Sequence, residues 1–337
     1  KKIVVASILA ALAMQTASVI DVAAAVGDQP SAAIANGSVT SGKTNGLAIG
    51  NFASSGSNQS IAIGYYSVAT ATEADPALPA TAVGAGANAT GQSTVALGLL
   101  AQATSGSTTA LGAKSVASED AAVAVGYGTK ATGNYASALG ADATASNNDA
   151  TAFGHGTVAS GGSSTALGSR AKAGGTAGVG IGMLANATNQ YGVAIGGESS
   201  SSADNSIAIG RKSSVTGESG IAIGAFTTSK GANGVAVGTN GTKSDLGGVA
   251  VGQAAQSIAF NSVATGMNVT AKGANSVALG ASATANDDGT IAIGSYGSTP
   301  TKATGNRALA IGSATTANGL ESIAIGSRVN STSQHSI

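Results

Sequence analysis

Val193-Ala194-Ile195-Gly196 is followed, one period later, by Asn205-Ser206-Ile207-Ala208-Ile209-Gly210. The same pattern, Ala then an aliphatic residue then Gly, closes twenty segments of the 337-residue chain. Its glycine falls at 50, 64 and 84, then every fourteen residues to Gly294, and again at Gly312 and Gly326. A fixed period of this length identifies a solenoid, in which each repeat forms one turn and touches only its neighbours.

The columns of one turn follow when the glycine is set as offset zero. Offset twelve is Ala in nineteen of the twenty turns, with Gly180 as the exception. Offset thirteen is Ile, Val, Leu or Phe in nineteen, with Thr265 as the exception. Offset eleven is mostly β-branched, so offsets eleven to thirteen predict a short strand with alternating faces. Offsets three and five are small, as in Ala101 and Ala103, and flank a polar offset four such as Gln102 or Lys172. They predict a second short strand. Gly, Asn, Asp and Ser near offsets seven to nine supply one corner. The glycine at offset zero supplies the other, where a Cβ would obstruct the bend.

Fourteen residues thus give two strands and two corners, stacked as parallel ladders. Twenty turns at about 4.8 Å each predict a rod of roughly 95 Å. Ala96, Ala208 and Ala278 at offset twelve are assigned to the inside of a thin roll. Leu97, Ile209 and Leu279 at offset thirteen are assigned to an outer stripe covered by other chains. The opposite assignment also satisfies the alternation. Either way, an apolar stripe along every turn exceeds what soluble monomers expose.

The bulk composition agrees with a narrow core. Charged residues make up 9% and aromatics 3%, so no large side chain has to be housed. A formal net charge of zero leaves no basic stripe for a phosphate backbone, which disfavours nucleic acid as a partner. Without cysteine there are no disulfide staples and no thiolate metal sites.

Residues 1–25 read as a signal peptide: Lys1 and Lys2, an apolar run over 3–14, and small residues at Ala23-Ala24-Ala25. Residues 26–46 read as an N-terminal segment with a degenerate cap turn, and 47–337 as the repeats. The repeat pattern stops between tetrads at Ile337, which predicts a chain that continues. Two intervals carry insertions. One, between Gly64 and Gly84, holds Glu73, Asp75, Pro76 and Pro79; the other, between Gly294 and Gly312, holds Pro300. Insertions in a solenoid become loops on one face.

Chemistry is sparse. His155 and His335 are the two histidines; His155 sits at offset one, a corner, and its turn supplies no carboxylate partner. Glu119-Asp120 and Asp287-Asp288 are acidic pairs that recur in no column. Gly178-Val179-Gly180-Ile181-Gly182 lacks the lysine of a phosphate loop. No serine stands out as a nucleophile, so the chain is expected to be no enzyme and to need no cofactor or metal.

The columns resemble the head domain of YadA-like trimeric autotransporter adhesins, whose repeat reads Asn-Ser-Val-Ala-Ile-Gly. Asn205 to Gly210 and Asn275-Ser276-Val277-Ala278-Leu279-Gly280 carry the motif, and Asn261-Ser262-Val263-Ala264-Thr265-Gly266 is a close variant. The resemblance implies a left-handed parallel β-roll, a homotrimer, and display on the outer membrane of a Gram-negative bacterium. The membrane would be reached through a stalk and C-terminal anchor that do not occur in this sequence. It also implies attachment to host matrix proteins such as collagen or to host cells, and autoagglutination. The motif positions Asn205, Ser206, Asn275 and Ser276, with Arg211 and Lys212 beside them, are the candidate ligand contacts. Two other readings fit a solenoid. An ice- or crystal-binding face needs a regular threonine column, but offset six mixes Thr104, Ser118, Ser146 and Gly174. A passive spacer or fibre segment would bind nothing.

Overall fold

A computed structural model describes residues 32–34, 38–39, 45–71, 78–294 and 299–337. The chain divides into two compact units, Lys1–Ser160 and Gly161–Ile337. Each is a parallel β-solenoid built from the same turn. The signal-peptide segment and the tips of both insertions, 72–77 and 295–298, lie outside the described residues.

Each turn contributes one long and one two-residue strand; the long strand has three residues except in Leu309–Ser313 and Ile323–Ser327, which have five. In the first unit Val95–Leu97, Thr109–Leu111 and Val123–Val125 pair in parallel, with Ala96 against Ala110 and Ala110 against Ala124. Gln102–Ala103 and Val116–Ala117 form the second ladder. The second unit repeats this with Ala194, Ala208 and Ala222 in line. Within each unit the long-strand ladder keeps its register, because a slip of one residue would turn the aliphatics inward and the alanines outward. The insertions do not break it. Ile61–Ile63 pairs with Thr81–Val83 across one, and Ile291–Ile293 with Leu309–Ile311 across the other. The degenerate segment also joins both ladders: Ala32–Ile34 pairs with Leu47–Ile49, and Ser38–Val39 with Ser54–Ser55.

The interior is made of small side chains at offsets three, five, ten and twelve. The offset-twelve alanines are fully buried, and the largest fully buried side chains are Val215 and Val269. Leu97, by contrast, is 41% exposed and Phe153 49%. The preferred assignment of the two faces therefore holds: alanine lies inside and the larger aliphatics lie outside.

Offsets five and ten face each other and share a limited volume. Ser55 with Ser60, Ser201 with Ser206 and Ser257 with Ser262 bring their hydroxyls to 2.6 Å. Val215 faces Gly220, where an added Cβ would come within 2.8 Å of the valine Cγ1. Threonine at offset ten, as in Thr94 and Thr108, faces alanine at offset five. A large partner on one side requires a small one on the other, as close packing demands.

Buried hydroxyls at offset three satisfy corner carbonyls. Ser115 and Ser213 donate to the glycine oxygen of their own turn, at 2.8 and 2.9 Å. Thr129 and Thr227 donate to the glycine oxygen of the next turn, Gly140 and Gly238, at 2.6 and 2.7 Å. A corner carbonyl thereby gains a partner that the strand ladders do not supply.

The two corners are alike in backbone form. At each, the fourth residue donates to the first, as in Ala101 N to Gly98 O at 3.3 Å and Ala136 N to Gly133 O at 3.2 Å. The third residue of each corner has positive φ, at offsets two and nine: Leu100 at 58° and Ser107 at 56°. Offset nine was expected from its turn residues, but offset two was not. It holds Leu100, Lys114, Arg170 and Phe226, which seldom enter this region unaided. The strain is offset by a bond between turns, such as Leu100 N to Ala85 O at 2.9 Å. The corner glycines are a separate requirement. Gly210 has φ of 128°, and a Cβ there would meet Gly224 O at 2.5 Å.

One turn departs from the columns. Between Gly238 and Gly252 the second strand is Lys243–Ser244, one residue late. Asn240 and Gly241 lengthen the first corner by one residue, and the second corner is shorter by one. The glycine spacing stays at fourteen, so the sequence period conceals the shift.

Candidate adhesive surface

With offsets three, five, ten and twelve turned inward, four rows face outward in each unit. The first is the aliphatic row at offsets eleven and thirteen. The second is the glycine corner at offsets one and two. The third is the polar strand at offsets four and six. The fourth is the opposite corner at offsets eight and nine.

The aliphatic row is continuous within each unit. Leu97, Leu111, Leu139 and Phe153 expose it in the first, and Leu167, Ile223, Val251 and Ile325 in the second. The strand ladder holds these side chains in line, with Thr265 the one polar residue at offset thirteen and no charge among them.

The corner rows carry the aromatic and charged groups. Every described aromatic residue other than Phe153 sits at a corner, because a roll filled by alanine has no room for a ring. Phe52, Tyr65 and Tyr66 cluster at the glycine corner, with Phe52 stacked on Tyr66 at 4.7 Å between ring centroids. In the second unit Lys212 pairs with Glu198 at 3.4 Å, and the Arg211 guanidinium lies 4.4 Å from the centre of the Phe226 ring. At the opposite corner Glu321 joins Arg307 at 2.9 Å and His335 at 3.2 Å.

That opposite corner is also capped between turns. In several turns the amide at offset eight donates to an Asx side chain one turn on. Asp120 does this for Gly106, Asp204 for Gln190 and Asp288 for Ala274, at 3.0, 3.1 and 2.8 Å. Two of the acidic positions singled out from sequence, Asp120 and Asp288, are thus tied to backbone. Among the described residues, no group of three or more His, Cys, Asp or Glu side chains could hold a metal ion.

The candidate contact residues separate into three places. Asn205 and Asn275 are exposed on the opposite-corner row, with φ of 56° and 55°. Arg211 and Lys212 are exposed on the glycine-corner row, at the other end of the strand Ile207–Ile209. Ser206 and Ser276 are fully buried. The Ser206 hydroxyl contacts Ser201 and donates to Ala203 O at 2.6 Å. Neither serine presents its side chain to a ligand, because offset ten points into the roll. Asn205 and Arg211 likewise do not form one cluster. His155 is exposed at the glycine corner.

Among curated proteins no match to the chain is found. The family model for the YadA head domain repeat matches residues 41–72, 79–101, 103–129, 131–157, 159–184, 187–213, 216–240, 271–296 and 303–328. The breaks at 73–78 and 297–302 coincide with the insertions, and the longest, 241–270, begins at the corner that holds the extra residue. More than half of the sequence is covered, and the motif columns, the buried alanines and the corner glycines agree with that match throughout both units. The chain belongs to the family of YadA head domain repeats.

Proposed function

We propose that the chain is the head of a trimeric autotransporter adhesin, displayed on a Gram-negative cell surface. Three copies associate through the aliphatic row, and the corner and polar rows meet matrix proteins such as collagen, host cells, or heads on sister bacteria. The observation that carries this reading is the outward row of Leu, Ile, Val and Phe at offset thirteen. An aligned apolar surface of that extent calls for a partner of the same periodicity. A second and third copy of the same solenoid supply it.

Binding then works by multiplicity. Each turn presents a similar, weak corner, and three chains multiply the number of contacts that engage at once. Asn205, Asn275, Arg211 and Lys212 are rim contacts in this scheme. No step calls for a catalytic group, a cofactor or a metal.

Solid-phase binding to immobilised collagen, fibronectin and laminin tests the reading, together with sedimentation of cells displaying the head. Saturable binding to at least one matrix protein, or autoagglutination, is expected. A correctly assembled head that binds none of them and does not agglutinate cells would overturn it.

A further inference from the structure

Four Asn-Gly dipeptides lie among the described residues, Asn45-Gly46, Asn233-Gly234, Asn240-Gly241 and Asn318-Gly319; Gly46, Gly234 and Gly319 are buried, whereas Gly241 is not. Asn-Gly is the dipeptide most open to intramolecular attack by a backbone nitrogen on the side-chain amide, since glycine offers no Cβ to obstruct it. What remains is whether the backbone can turn to bring that nitrogen to the Asn Cγ.

Asn240 is exposed, and Gly241 is the extra residue of the shifted turn. A Cβ placed on Gly241 would meet nothing within 4 Å. The Gly241 amide donates no hydrogen bond, and the Asn240 side chain makes none, so neither reacting group is restrained. The residue before the pair's free amide is held only through Asn240 N to Ala225 O at 3.2 Å. Asn318-Gly319 is the reverse case. The Asn318 carboxamide accepts from Thr304 Oγ1. Asn318 N donates to Ser331 O at 2.8 Å. Gly319 is buried, and a Cβ on it would overlap the carbonyl oxygen of Ser333. The stacked turn leaves that backbone no room to rotate.

We propose that Asn240 is a self-modification site, converted to a mixture of aspartate and isoaspartate while Asn318 is preserved. The Gly241 nitrogen gives up its proton and bonds to Asn240 Cγ. The Cγ–NH2 bond breaks, and ammonia leaves with the proton. The resulting succinimide takes up one water. Opening at Cγ gives aspartate, and opening at the main-chain carbonyl gives isoaspartate, which routes the backbone through the side chain. No oxidant or enzyme is required. The product is a new negative charge on the glycine-corner row, one turn from Phe226 and two from Lys212, and isoaspartate adds a methylene to a corner that already holds an extra residue. The head thus carries a slow, irreversible change of surface charge at one defined turn.

The test is incubation of the intact chain at mildly alkaline pH, with peptide mass spectrometry for the amide-to-acid mass gain and enzymatic methylation for isoaspartate. Conversion at Asn240 should run at least about tenfold faster than at Asn318 in the folded chain. In a chemical denaturant the two rates should converge, because the difference comes from the fold. Asn240→Gln, which cannot close the five-membered ring as readily, should abolish the signal at that position. Equal rates in the folded chain, or faster conversion at Asn318, would overturn the assignment. So would an Asn240 that stays intact while the denatured chain converts.

Discussion

Val215 and Gly220 offer the sharpest test of how the roll is filled. Val215 is the largest side chain at offset five and is fully buried. It faces a glycine whose added Cβ would lie 2.8 Å from Val215 Cγ1, 2.9 Å from Gly217 O and 3.0 Å from Ser229 Oγ. Gly220→Ala alone overfills the lumen and should cost about 1–2 kcal/mol, after allowing for the entropy that alanine removes from the unfolded chain. Val215→Ala alone removes two buried methyl groups at about 0.8 kcal/mol each and leaves a cavity, for about 2–3 kcal/mol in total. The double variant creates the Ala–Ala pair already present at Ala117 with Ala122 and Ala131 with Ala136. It should lie within about 1 kcal/mol of the parent, a coupling of at least about 2 kcal/mol. A repeat array need not unfold in one step, so the readout is native-state hydrogen exchange at amides of the affected turns. Ile221 N, bonded to Gly234 O at 2.8 Å, is a suitable reporter. If Gly220→Ala is neutral, or the coupling is below about 0.5 kcal/mol, the two positions do not share one volume and the packing rule fails.

Further outcomes follow from the same geometry. Gly210→Ala forces a Cβ onto Gly224 backbone at a φ of 128° and should cost more than about 3 kcal/mol by hydrogen exchange. Gly241→Ala, in open space at a φ of 88°, should cost only about 1 kcal/mol. Thr129→Val removes the 2.6 Å bond to Gly140 O and should cost about 1 kcal/mol in the same assay, since Val269 already fills the equivalent column elsewhere. An Asp placed on each of the two faces should separate folding from assembly. Ala208→Asp buries a carboxylate and should remove hydrogen-exchange protection from its own and the adjoining turns, whereas Ile209→Asp should keep that protection and lose association.

Much of the turn is legible from residue type alone. Glycine at offset zero marks a corner that no Cβ can occupy, and alanine at offset twelve marks a lumen too narrow for anything larger. The positive-φ position at offset two left no such mark. Leu100, Lys114 and Phe226 are held there by bonds to the preceding turn, and a contact between turns puts no restriction on residue type. The late strand at Lys243–Ser244 was hidden for a different reason. An extra residue at one corner is cancelled by a shortened one at the other, so the glycine spacing stays intact. The surface was harder to read than the fold. Ser206 and Ser276 stand inside the repeated motif, but that motif repeats because it packs, and its hydroxyl column faces inward. Residues that would meet a ligand are exposed and free to vary, so periodicity does not reveal them.

In the proposed head, the outward aliphatic row is covered by sister chains. The mass of the chain in solution, by light scattering after size exclusion, tests this most directly. One chain is 31.5 kDa, and the expected species is three times that, about 95 kDa. Ile209→Asp should shift it toward the single-chain mass with the β-signal unchanged. A parent chain that runs as a folded 31.5 kDa monomer at micromolar concentration would contradict the account.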